Sequence, residues 1–220
     1  NLPAEFATAP VLGIAEIPKG SFQGKNLILI DPSFGTADAP RPHLGVYEDD
    51  GNLAAGEVFV PIEGLDPTVK LSSIDMNPES EEEEIAAYDM ENHAFYILDS
   101  TFAVRLGPVP VLGAPCGFIN AWFFGSVDRT GLRGAGAGIA YDGPDKLLIN
   151  SAFYNSWETH FVLEYDLKAG GAYLGSAVDL SGAALSGLNP DIAFVAMDTG
   201  KVGAEETVFS LNVGDDSIYA

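Results

Sequence analysis

The chain has 220 residues, with Asp plus Glu at 32 against Lys plus Arg at 10, a formal net charge of −22, and 47% hydrophobic residues. That apolar content is enough for one sizeable core or two small ones and excludes a disordered chain, while the scarcity of cations disfavours nucleic acid and anionic membrane surfaces as partners. A single cysteine, Cys116, excludes an internal disulfide framework and any multi-cysteine metal site.

From the N-terminus, four short apolar segments follow one another, separated by turns rich in Gly, Asp and Asn. They are Leu12-Gly13-Ile14-Ala15-Glu16, Asn26-Leu27-Ile28-Leu29-Ile30-Asp31, His43-Leu44-Gly45-Val46-Tyr47-Glu48 and Glu57-Val58-Phe59-Val60-Pro61-Ile62. Runs of this length read as strands joined in an antiparallel meander, and none is long enough to cross a bilayer as a helix. The acidic stretch Glu79-Ser80-Glu81-Glu82-Glu83-Glu84 comes next, as a solvated loop or the first turn of a short helix. A second set is Ile85-Ala86-Ala87-Tyr88-Asp89, Ala94-Phe95-Tyr96-Ile97-Leu98-Asp99 and Phe102-Ala103-Val104-Arg105-Leu106.

Residues 113–134 fit neither set and read as an insertion or a degenerate copy. Beyond them the first pattern returns. Ala137-Gly138-Ile139-Ala140-Tyr141 matches the segment at Leu12, Lys146-Leu147-Leu148-Ile149-Asn150 that at Asn26, and His160-Phe161-Val162-Leu163-Glu164-Tyr165-Asp166 that at His43. Leu174 to Leu180 closes the set, and a last, shorter copy runs through Asp191–Phe194, a turn around Gly200, Thr207–Asn212 and Ser217–Ala220. The chain is therefore expected to be all-β, with repeats at 11–65, 71–112, 135–188 and 190–220 forming one domain over 1–220. Residues 1–10 are available to add an outer strand to the last copy. A meander recurring every 50 to 70 residues points to a β-propeller of about four blades, with a β-sandwich or closed barrel as the alternative.

Two phrases carry a family resemblance. Gly138-Ile139-Ala140-Tyr141-Asp142 followed by Leu147-Leu148-Ile149-Asn150 resembles blades of the NHL and lactonase-type (SMP-30-like) propellers. Ile85 to Leu98 is similar to a hemopexin repeat, a four-bladed family of about this length. Strand ends recur as Ile30-Asp31, Leu98-Asp99, Ile149-Asn150 and Leu211-Asn212. Asp and Asn there form turns through their own backbone, and on a propeller they would converge on one face as hard oxygen ligands suited to Ca²⁺. The lactonase-type resemblance implies a catalytic metal held by Asp31, Asp99, Asn150 and Asn212, with Glu16 the match for a channel-lining carboxylate.

His43 and His160 open equivalent segments; they read as a general acid/base pair or as loop residues bonding backbone. The stretch Phe153-Tyr154-Asn155-Ser156-Trp157-Glu158-Thr159 is the candidate recognition loop, since Tyr154 and Trp157 can stack on a sugar face while Asn155 and Glu158 bond its hydroxyls. Gly134-Ala135-Gly136-Ala137-Gly138 leads into a strand with no lysine at phosphate-loop spacing, so it is no P-loop. Asn1 reads as the start of a processed or trimmed form. The leading functional expectation is a secreted or surface-exposed module that binds a carbohydrate, small molecule or protein partner. Its rivals are a metal-dependent hydrolase and a structural subunit that assembles edge to edge.

Overall fold

The computed structural model describes residues 2, 6, 9, 11–30, 42–52, 54, 59–66, 69–80, 83–89, 92, 94–111, 138–152, 160–179, 194–202, 204–212 and 217–219. Among them are fifteen strands in four antiparallel sheets, and the all-β class is what the structure shows. The first sheet holds β1 (Val11–Glu16), β2 (Asn26–Ile30), β3 (His43–Tyr47) and β4 (Val60–Pro61) in chain order. The second holds β5 (Leu71–Met76), β6 (Ile85–Asp89), β7 (Ala94–Leu98) and β8 (Val104–Pro110). The third holds β9 (Ile139–Tyr141), β10 (Lys146–Ala152), β11 (His160–Asp166) and β12 (Ala172–Asp179), and the fourth β13 (Phe194–Val202), β14 (Glu205–Asn212) and β15 (Ser217–Tyr219). Every sheet is a meander, the product of short apolar runs parted by turn residues.

The chain divides into two compact units, Asn1–Val109 and Pro110–Ala220. In the first unit, one face of the first sheet (Ala15, Leu27, Leu29, Leu44, Val46) shares a core with Leu71, Ile74, Met76, Ile85, Ala87, Tyr96 and Leu98 of the second. The register explains the grouping, because Leu27 pairs with Ala15 and Val46, and Ala87 pairs with Ile74 and Tyr96. The alternate residues Ala86, Tyr88, Phe95 and Ile97 are buried too, so β6 and β7 are covered on both faces and lose the usual in–out alternation. In the second unit the same holds for the third sheet. Ala140, Leu148 and Val162 form one cluster, while Ile139, Tyr141, Leu147, Ile149, Leu163 and Tyr165 are buried on the opposite face.

In each unit the first strands of the two meanders lie side by side, β1 with β5 and β9 with β13. Gly13 makes the first approach close: a Cβ there would stand 2.9 Å from Ile74 Cγ1 and 3.1 Å from its backbone nitrogen. In the second, Thr199 Oγ1 donates to the Tyr141 carbonyl at 2.7 Å. Three first strands also share a β-bulge near their start, with Leu12, Ser72 and Val195 as the extra residues. The bulge falls at the same point, one residue into the strand, in all three.

Two details differ from the sequence reading. The second meander starts at Leu71, within the expected bounds 71–112, but with a strand at Leu71–Met76 that the sequence reading did not name, so Ile85–Asp89 is its second strand rather than its first. The last hairpin extends through Gly200 and turns after Val202, where the sequence suggested a turn at Gly200. The acidic stretch connects β5 to β6, and its described residues are not helical. Cys116 and residues 113–134 lie outside the described residues.

Candidate functional site

In a meander, the first-to-second and third-to-fourth connections share one end of the sheet, and the second-to-third connection occupies the other. The first end is latched by a cation in three sheets. Lys25 Nζ meets Glu48 Oε1 at 2.6 Å between the β1–β2 and β3–β4 connections. Arg105 of β8 pairs with Glu84 in the β5–β6 connection, and Lys168 after β11 pairs with Asp145 before β10. The hydrogen bond and charge of Asp145 hold the Lys168 ammonium pKa above its ordinary value.

The opposite end carries the candidate ligand-contacting segments. β10 and β11 pair along their whole length to a final pair, Ala152 with His160, which closes the base of the loop 153–159. Tyr154, Asn155, Trp157 and Glu158 lie outside the described residues, but the hairpin that carries them is regular to its last pair. The β2–β3 hairpin is built alike, closing on Ile30 with His43. His43 and His160 therefore hold equivalent positions, each the first residue of a third strand. His43 is 8% exposed, with its ring 4.9 Å from that of Phe6, so it is a packed histidine within the first unit rather than one open to solvent.

The four strand-end residues do not form one set. Asp99 lies between β7 and β8, a third-to-fourth connection, whereas Asn150 and Asn212 lie at the second-to-third end of their sheets. Its carboxylate is occupied locally: Oδ1 accepts from Thr101 N at 2.8 Å, Thr101 Oγ1 at 2.6 Å and Ala103 N at 3.2 Å. These bonds, the Thr101 hydroxyl first, hold the Asp99 carboxyl below the ordinary carboxylate range. An Asx-type turn accounts for Asp99, and it does not fit a metal centre shared with second-to-third loops. Asp31 and the side chains of Asn150, Asn212 and His160 lie outside the described residues. Glu16, the last residue of β1, is exposed. Among the described residues, no group of three or more His, Cys, Asp and Glu side chains is arranged to hold a metal ion.

The residue in the second sheet that matches Asn212 is Asp89, which the sequence reading did not single out. Asp89 pairs with Leu71 just before the Ser72 bulge, as Asn212 pairs with Phe194 just before the Val195 bulge. It is fully buried; Oδ1 accepts from Lys70 N at 3.2 Å and Asn92 N at 3.3 Å, and Oδ2 from Asn92 Nδ2 at 2.7 Å. Asp89 thus ties the entry of β5 to the β6–β7 turn. The signal was legible, since Asp89 ends the apolar run Ile85–Tyr88 just as Asp31 ends Leu27–Ile30.

No family model matches the chain, and no curated protein matches it. Geometry and chemistry alone therefore carry the functional reading.

Proposed function

We propose that this chain is a ligand-binding module, secreted or surface-exposed, whose meanders are the blades of a propeller-type scaffold of about four blades. The recognition surface is the loop 153–159, and the ligand class is neutral and hydroxyl-rich, a carbohydrate before a small molecule or a protein partner. The carrying observation is the β10–β11 hairpin: paired to Ala152–His160 at the loop base, with Leu147, Leu148, Ile149, Val162, Leu163 and Tyr165 buried beneath it. On this reading the residues that follow the hairpin's last pair supply Tyr154 and Trp157 for stacking and Asn155 and Glu158 for hydroxyl recognition, since segments carried on rigid strands are common binding sites.

The scaffold reading draws support from the meander order, from first strands lying side by side within each unit, and from sheets buried on both faces. The excess of 32 acidic over 10 basic residues favours a neutral ligand over a polyanion. The described turn carboxylates at Asp89 and Asp99 accept from backbone N–H groups, those of Lys70 and Asn92 for the first and of Thr101 and Ala103 for the second, which fits a scaffold role. The test is a glycan microarray probed with the wild-type chain and with the Tyr154→Ala/Trp157→Ala variant. Retention of neutral glycans by the first and not the second, at equal melting temperature, supports the reading; equal retention by both refutes the proposed surface.

A further inference from the structure

The first and third sheets are equivalent meanders, yet one face of the first is covered less completely. Ala15 of β1 pairs with Leu27 as Ala140 of β9 pairs with Leu148, so the preceding isoleucines correspond: Ile14 pairs with Ile28, and Ile139 with Ile149. Ile139 and Ile149 are fully buried, whereas Ile14 is 61% exposed and Ile28 half-buried. Val11 pairs with Ile30, two positions beyond Ile28, and so shares this face; it is 45% exposed. At β3 the same face is covered, by a row of rings running from His43 through Phe6 and Phe59 to Tyr47 with centroids 4.9, 5.5 and 5.5 Å apart. The open part therefore lies at β1 and β2. An apolar row that the fold buries in one copy and exposes in the other is a surface suited to being covered by a partner.

The rim of this patch is acidic. Glu16, exposed at the end of β1, pairs with Asn26, whose side-chain amide donates to Asp49 Oδ1 at 2.9 Å, and Asp49 and Asp50 are both exposed. The neighbouring cations are engaged: Lys25 meets Glu48 at 2.6 Å, and Lys19 donates to the Glu79 carbonyl at 3.0 Å. With a net charge of −22, a second copy of the chain and an anionic lipid surface are both repelled, while a cationic partner is attracted. Small-molecule sites are concave, and a sheet face suits a polypeptide better. We propose that the β1–β2 face docks an extended cationic amphipathic segment of another protein. Its apolar side chains cover Val11, Ile14 and Ile28, and its Lys or Arg residues meet Glu16 and Asp49. The strand from Val11 to Glu16 spans roughly 17 Å at about 3.4 Å per residue, which a segment of about six residues matches. The surface belongs to the first unit and stands whether or not the loop 153–159 binds glycans.

The probe is a fluorescein-labelled peptide of alternating leucine and serine ending in two lysines, followed by fluorescence anisotropy at about 0.05 M salt. Saturable binding to the wild type is expected, lost when the two lysines are replaced by glutamates. Ile14→Ser is expected to weaken it about tenfold, and Val11→Ser by less, both at a melting temperature close to the wild type's because the two side chains are exposed. Glu16→Gln with Asp49→Asn is expected to weaken binding and reduce its salt dependence, while Trp157→Ala leaves it unchanged. Absence of saturable binding overturns the proposal, and so does equal affinity in wild type, Ile14→Ser and Val11→Ser, which would mean attraction to the net charge alone. Sedimentation supplies the last arm: a wild-type dimer that Ile14→Ser dissociates would give the face to a second copy and overturn the proposal as well.

Discussion

Replacing Asp89 with Ala tests the idea that the second-to-third end of the second meander is fastened from inside. The carboxylate is fully buried and accepts from two backbone N–H groups, those of Lys70 and Asn92, and from the Asn92 side-chain amide. Hydrogen bonds to a charged group contribute about 1.5–3 kcal/mol each, with the contacts at 3.2 and 3.3 Å nearer the lower figure. Relief of the carboxylate's desolvation offsets part of that sum, leaving a net loss of roughly 2–4 kcal/mol. Asp89→Asn keeps one oxygen acceptor and the side-chain volume, and its loss should be about half as large. Urea unfolding reads both: with a slope of about 2 kcal/mol per M, the alanine variant's midpoint falls by roughly 1–2 M. A midpoint within about 0.3 M of wild type at unchanged slope would refute the inference that Asp89 joins β5 to the β6–β7 turn.

Other outcomes follow from the same structure. The Asp99 pKa is depressed in the folded chain, so its stabilisation is fully present above the ordinary carboxylate range, near pH 4, and is lost as pH falls through the lowered value. Asp99→Asn should therefore flatten the acid limb of the stability–pH curve measured by thermal melts, and an unchanged limb would show that the turn does not depend on the charge. At a net charge of −22, with Lys25, Arg105, Lys146 and Lys168 already paired to carboxylates, added salt should screen self-repulsion more than it weakens latches. Melting temperature is expected to rise by several degrees between about 0.02 and 0.5 M NaCl, where the Debye length shortens from roughly 20 to 4 Å; a fall would mean that the ion pairs dominate. Gly13→Ala should cost about 1–3 kcal/mol in a urea titration, because a methyl at 2.9 Å from Ile74 Cγ1 and 3.1 Å from its nitrogen must push β1 off β5. A neutral result would mean that the two first strands can part freely.

The strand-rich class and the meanders at the chain's two clearest copies were legible because Asn26–Ile30, His43–Tyr47, Lys146–Ala152 and His160–Asp166 are apolar runs between strong turn formers. The first strand of the second meander was not. In Leu71-Ser72-Ser73-Ile74-Asp75-Met76 the bulge at Ser72 breaks the period of two, so the inward residues fall at 71, 74 and 76 and the segment does not read as alternating. Losing that strand moved the count by one and put Asp99 where Asp89 belongs. The aromatic row over β3 left no local trace either, since Phe6, His43 and Phe59 are distant in sequence and meet only through the fold. Asp99 illustrates the converse: its turn chemistry was readable from Asp99-Ser100-Thr101, whereas convergence with Asn150 and Asn212 required a strand count that periodicity did not supply.

The most direct test of the binding reading uses the fluorescence of Trp157, one of only two tryptophans, in a Trp122→Phe background. Neutral glycans retained on the array would be titrated against this protein. A saturable change in Trp157 emission, lost in Tyr154→Ala at an unchanged melting temperature, is the expected result. Saturable retention of those glycans with no change in Trp157 emission would contradict it, because the ligand would then sit away from the loop 153–159.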